Sequence, residues 1–281
     1  MTLHDLRRRF FNLAGQTLAT IATLFTLFWL IWLLWTLASR GLPHLDLTIL
    51  LEDTPVPMAA GGLRNAIVGS LMMSITGVLV GAPIGVLAAT WLAEYGRGTK
   101  LAAAVRFIND VLLSAPSIII GVFIYSLMVV TLGGFSGWAG AMALAMILLP
   151  VVVRTSEDML TLVPDQMREA AAALGAPRWR LIVDVVYRAA RRGMLTGILL
   201  GFARIAGETA PLLFTALNNQ FFSTAMTGPM ANLPVVIFQF AMSPYDNWQQ
   251  LAWAGALLIT LTILTINLVA RLAWRHDHKD S

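Results

Sequence analysis

The stretch MLTGILLGFARIAGETAPLLFTA, residues 194–216, is apolar along almost all of its length yet carries Arg204 and Glu208 four positions apart. About 20 mostly apolar residues are enough for a helix to cross a hydrocarbon core of roughly 30 Å. An unpaired ion left at mid-membrane costs about 3 kcal/mol on insertion scales. The two charges either neutralise each other along one helix face, as residues four apart can, or serve a polar pathway or conformational switch. These roles are compatible, and the residues leave both open. Gly201 and Gly207 permit close packing, and Pro211 bends or interrupts the helix.

Working outward, the 281 residues are 58% hydrophobic and only 12% charged, too apolar for an ordinary soluble domain. Backbone groups inside lipid must be satisfied within helices, so the fold class expected is an all-α integral membrane bundle with six transmembrane helices. Their cores fall at 17–38, 66–92, 114–132, 138–153, 194–216 and 248–270, and the fourth is the shortest. The chain then divides into an N-terminal tail (1–16), a transmembrane domain (17–271) containing a polar loop (155–192), and a C-terminal tail (272–281). The uncharged stretch 111–153 is long enough for two spans, with Gly133-Gly134-Phe135-Ser136-Gly137 as the turn. The first apolar run, 10–39, is too long for a cleaved signal core and reads as a retained span, although a signal anchor looks the same at this stage.

The basic residues orient the bundle. Arg7, Arg8 and Arg9 precede the first span, and Arg97, Lys100 and Arg106 follow the second. Arg168, Arg178, Arg180, Arg188, Arg191 and Arg192 follow the fourth, and Arg271, Arg275 and Lys279 the sixth. The opposite loops hold Arg40, Arg64, Asp46, Glu52, Asp53 and Asp246. This is the positive-inside pattern, with both termini cytoplasmic. The proline-broken region 42–62 and the segment 218–247 become outside connections. The apolar run 233–242 is too short to span and fits a cap or a gate.

The cytoplasmic loop holds most of the remaining information. Ser156-Glu157-Asp158 has the composition of a helix start, and Pro164 followed by Asp165 suits the next one. Met167, Ala170, Ala171 and Leu174 recur at helical spacing as an apolar face, and Gly175 before Ala176-Pro177 marks a stop or sharp turn. A second segment, 178–192, offers Leu181, Ile182, Val185 and Val186 for burial. From the residues alone, a hairpin on the membrane surface and a docking element for a cytoplasmic partner both fit.

Several chemistries are excluded. There is no cysteine, hence no disulfide or thiolate chemistry. Gly96-Arg97-Gly98-Thr99-Lys100 has the wrong order for a phosphate-binding loop, and no H-E-x-x-H metal motif occurs. His276 and His278 sit in a hydrophilic tail, and Asp110 and Asp184 lack the spacing of an acid/base pair.

The run Arg168-Glu169-Ala170-Ala171-Ala172-Ala173-Leu174-Gly175 resembles the coupling loop of bacterial ABC importer permeases. The chain departs from that pattern further on, with Tyr187-Arg188-Ala189-Ala190 where Leu-Pro-Ala-Ala is usual. More specifically, Gly207-Glu208-Thr209-Ala210-Pro211-Leu212-Leu213-Phe214 is similar to the PstA family, the permease subunits of phosphate-specific ABC importers. Ala93-Glu94-Tyr95-Gly96 and Leu149-Pro150-Val151-Val152-Val153-Arg154 extend the similarity, which runs nearly end to end. The resemblance implies a permease of the bacterial inner membrane that imports inorganic phosphate. Its implied partners are a PstC-like permease, two PstB-like ATPase subunits and a PstS-like periplasmic phosphate-binding protein. It implies no enzyme activity and no cofactor on this chain, with ATP and Mg2+ held by the ATPase subunits. Arg204 and Glu208 then belong to the translocation pathway or its gating, and Arg154 and Arg168 are further pathway candidates. Glu169, Ala170, Ala171 and Gly175 couple to the ATPase. The competing readings are an ABC permease for another oxyanion, an ion-coupled secondary transporter, and a receptor or scaffold.

Overall fold

A computed structural model describes residues 3–276. His278 and Lys279 lie outside the described residues, as do the side chains of Arg9, Arg271, Arg275 and His276. The described chain is all-α. Four helices are long and apolar enough to cross a membrane, and a bent pair makes a fifth candidate. The protein is thus a multi-pass helical membrane bundle.

Helix α1 (Leu3–Gly41) stands largely apart. Thr17, Thr20, Thr23 and Thr26 each turn the hydroxyl back onto the carbonyl four residues earlier, which satisfies these polar groups within the helix. Its C-terminal end is enclosed: Leu37 and Gly41 are buried, and Arg40 lies over the Trp253 ring at 5.4 Å. Helix α2 (Arg64–Thr90) continues through a π-helical turn, Trp91–Tyr95. Helix α3 (Lys100–Ser114) is capped by the Thr99 hydroxyl, which accepts from the Ala102 amide. It meets α4 (Ser117–Ile124, prolonged by Tyr125–Val129 and Val130–Leu132) at a bend of 104° across Ala115-Pro116. Proline disfavours helical geometry in the residue before it, and Ala115 is accordingly extended. Gly133, at φ +78°, ends this pair as the turn composition predicts.

Helix α5 (Gly137–Thr161) is the most enclosed of the spans and lies between α2 and α7. The helix runs eight residues past the end of the expected core 138–153. Ser156, Glu157 and Asp158 start no helix, because α5 runs straight through them. Ser156 and Glu157 are buried, and Glu157 accepts a 2.6 Å hydrogen bond from Arg106 Nε on α3. That partner lets a charged residue extend the buried helix. Glycines make the close packing possible: a Cβ on Gly81 of α2 would stand 2.9 Å from the Ala145 carbonyl oxygen of α5.

Helix α6 (Asp165–Ala173) precedes the Gly175 turn. Helix α7 (Tyr187–Ala206) is entered through Arg178–Arg180 and a π-helical stretch, Leu181–Val186. Leu181, Ile182 and Val186 are buried as expected, while Val185 is half-buried. After a break come α8 (Ala210–Thr215), α9 (Leu233–Ala241) and α10 (Asp246–His276). The short α9 is capped by Asn232 and pinned at the far end of α2, where Ser70 Oγ accepts from the Leu233 amide at 2.7 Å.

Candidate functional site

Two places carry the charged residues, and they lie on different parts of the fold. The first is the gap between α7 and α8. The expected continuous span 194–216 is interrupted: α7 ends at Ala206, Gly207 caps it, and the Glu208 amide donates to the Ile205 carbonyl at 3.2 Å. Pro211 enters the first turn of α8, where its missing N–H costs nothing. Glu208 thus lies in the break and not on the helix face of Arg204. The pair still meets, with Arg204 Nε 4.0 Å from Glu208 Oε1, beyond hydrogen-bonding reach. The Arg204 side chain is 43% exposed and that of Glu208 17%.

The broken span is held by close backbone approach. Gly193, Gly197 and Gly201 form a stripe along α7 that faces Met159, Thr155 and Leu148 of α5. On the other side of the break, Gly121 of α4 admits Pro211, whose Cα would lie 2.6 Å from a Cβ there. The Thr215 hydroxyl donates to the Pro211 carbonyl at 2.8 Å, and the Thr215 carbonyl accepts from the Ser136 amide at 3.0 Å. The non-helical backbone around Glu208 is therefore fixed from both sides.

The second place is the elbow at Gly175. Of the residues expected to form an apolar face, only Ala171 packs inward, beside Leu181 and Val186. Met167, Ala170 and Leu174 are exposed, Leu174 at 89%, and so are Glu169 and Gly175. The apolar stripe of α6 is turned away from the rest of the chain.

Arg168 and Arg154 do not join Arg204. Arg168, on α6, packs against the buried Glu94, with Nη2 donating to Oε1 at 2.7 Å and Nε to Oε2 at 3.3 Å. It also donates to the Leu160 carbonyl at 2.8 Å and to Asp165 at 3.2 Å. Arg154 lies on the exposed side of α5, 3.4 Å from Asp158 and 3.8 Å from Asp110. Glu94 escaped the sequence reading as a site residue. Its visible signals were its place in the stretch Ala93-Glu94-Tyr95-Gly96 and an acidic side chain closing an otherwise apolar span. No cluster of three or more metal-ligating side chains occurs among the described residues.

Comparison with known proteins gives consistent results. Residues 81–276 match the family model described as the binding-protein-dependent transport system inner membrane component. The phosphate transport system permease protein PstA of Pasteurella multocida (strain Pm70) is 59% identical over 244 residues, covering 87% of both chains. That of Xylella fastidiosa (strain Temecula1) is 55% identical over 266 residues, covering 94% of this chain and 93% of the relative. Among solved structures, a bacterial ABC transporter involved in the import of the acidic polysaccharide alginate has a chain similar in fold. Its TM-score is 0.62 at 15% identity, covering 96% of this chain and 99% of that one.

Proposed function

The chain belongs to the PstA phosphate permease family of binding-protein-dependent transport system inner membrane components, and from that premise we propose that it forms one half of a pathway for ATP-driven import of inorganic phosphate. It is a permease subunit of a phosphate-specific ABC import system, resides in the bacterial inner membrane and is not itself an enzyme. The near end-to-end identity to phosphate permeases carries this reading. The other half of the pathway is a PstC-like permease, ATP and Mg2+ are bound by two PstB-like subunits, and a PstS-like protein delivers phosphate.

In this proposal the chain crosses six times, through α1, α2, α4, α5, the broken pair α7–α8, and α10. The arginine-rich end, with Arg97, Arg106, Arg168, Arg178 and Arg188, is cytoplasmic by the positive-inside rule, and both termini share that side. The exposed stripe Met167, Ala170 and Leu174, with Glu169 and the Gly175 turn, forms the docking surface for the ATPase.

Arg204 and Glu208 act in the pathway. Arg204 Nε and Glu208 Oε1 stand 4.0 Å apart, outside hydrogen-bonding reach, so a phosphate entering the break competes for the guanidinium's donors. Arginine presents a planar fork of donors that matches a tetrahedral oxyanion. Glu208 regains Arg204 when the anion leaves. Arg154, paired with Asp110 and Asp158, is the weaker pathway candidate and marks the cytoplasmic boundary.

Reconstitution of the chain with its three kinds of partner tests this function. Uptake of labelled phosphate is expected to require ATP and the PstS-like protein. Preference for another oxyanion, or uptake driven by an ion gradient with the ATPase disabled, overturns the reading. A further expectation concerns the elbow. Gly175 has φ +78° with open space around it, so Gly175→Ala meets no clash but pays about 1–2 kcal/mol for left-handed backbone. Transport in that variant should fall by about fivefold, within the usual span of coupling energies. Unchanged transport and unchanged ATPase binding would reject the coupling role.

A further inference from the structure

We propose that Glu94 is a positioning residue for energy coupling, a latch that ties both legs of the cytoplasmic elbow to the end of α2. The proposal rests on the transport reading above and names the part of the fold that receives the stroke. Glu94 lies in the π-helical turn Trp91–Tyr95, and its side chain is 7% exposed. Such widened turns displace a helix end sideways and recur at functional sites.

Three arginines converge on residues 93–95. On the leg before the elbow, Arg168 spends its guanidinium on the Glu94 carboxylate, the Leu160 and Val163 carbonyls and Asp165. On the leg after it, Arg178 donates to the Glu94 carbonyl and lies over the Tyr95 ring at 4.5 Å. Arg97 donates to the Ala93 carbonyl at 2.6 Å and reaches Asp165 at the start of α6 at 3.3 Å. Among the described residues the carboxylate is paired with Arg168, whose side chain is 12% exposed. Removing one member of a buried pair leaves the other charge uncompensated, so the linkage is strongly conditional on both.

The geometry gives the latch a direction. Movement of the elbow pulls on the end of α2, whose glycines 77, 81 and 85 ride against α5. At the far end of the same helix, Ser70 holds α9, and Asn65 Nδ2 donates to the Asn219 carbonyl at 2.9 Å. One helix therefore joins the elbow to the outer connection that follows the Arg204–Glu208 break.

The test uses the whole transporter. The chain has no cysteine, so a spin-label pair at Gln166→Cys and Leu87→Cys, both exposed, introduced before assembly with the partners, reports the separation of α6 from α2. In Glu94→Gln the ATPase subunits should still co-isolate, because the exposed docking stripe is untouched. The label separation should broaden, and phosphate moved per ATP hydrolysed should fall about tenfold. A general loss of stability lowers both transport and hydrolysis and leaves that ratio alone. Where Glu94→Gln fails to assemble, Arg168→Lys, which keeps the charge and loses the fork, is measured for the same two quantities. An unchanged ratio overturns the proposal, and so does an unchanged separation. A wild-type complex that hydrolyses ATP without moving phosphate sinks the transport reading instead, and the separation still tests the latch.

Discussion

Phosphate uptake by a fully assembled Glu208→Ala transporter is expected to fall about a hundredfold, equivalent to about 2.7 kcal/mol. Glu208 lies in non-helical backbone clamped by Pro211 against Gly121 on one side and by the glycine stripe of α7 on the other. Its carboxylate is the acidic group facing Arg204, at 4.0 Å. Without it, a phosphate bound to Arg204 has no rival to displace it. The half-saturating phosphate concentration should therefore drop together with the maximal rate, the pattern of a lost ground-state destabilisation. Wild-type uptake in an assembled Glu208→Ala complex would refute the role. A lowered rate with an unchanged half-saturating concentration would refute the displacement mechanism.

Gly197→Ala should destabilise the packing of α7 on α5. Its new methyl would lie 2.0 Å from Thr155 Oγ1 and 2.7 Å from Thr155 Cβ. Rotating the Thr155 hydroxyl away relieves the first contact and not the second, so α7 has to move off α5. Overpacking of this kind costs about 1–3 kcal/mol, and the displaced helix carries Arg204. Thermal unfolding in detergent should shift down by several degrees, on the order of 2–4 °C per kcal/mol, with weaker co-isolation of the partner subunits. Gly207→Ala is the control, since it has open space and φ −103°. Equal stability of the two variants would contradict the close-packed stripe.

Much of the bundle was legible because membrane spans are read from length and apolarity, and α1, α2 and α10 satisfy both without interruption. The Gly133 turn and the Gly175 stop were legible because each needs a left-handed residue. The full extent of α5 was not, because its polar end is buried by a partner 51 residues away in sequence, Arg106 to Glu157, which no local pattern announces. The crosswise course of α3 was hidden for a similar reason: 100–114 has helical composition, and only the 104° bend separates it from the span that follows. At the charged break, the spacing of Arg204 and Glu208 was visible in the sequence. Spacing alone did not reveal that the helix stops between them, because Gly207 and Pro211 are also tolerated inside intact membrane helices. The Glu94 latch joins residues 74 positions apart, so the acidic side chain at the end of α2 was visible in the sequence and its partner Arg168 was not.

The length of the first helix has a metric consequence. Its 39 residues make a rod about 58 Å long at 1.5 Å per residue, against about 30 Å of hydrocarbon. Even leaning at about 40°, the steep end of the usual range, it rises about 44 Å, the full depth of a bilayer with both headgroup layers. One extremity must stand among the headgroups or beyond them. Arg7 and Arg8, both exposed, lie near one extremity and Arg40 near the other, so basic side chains flank the apolar stretch at both ends.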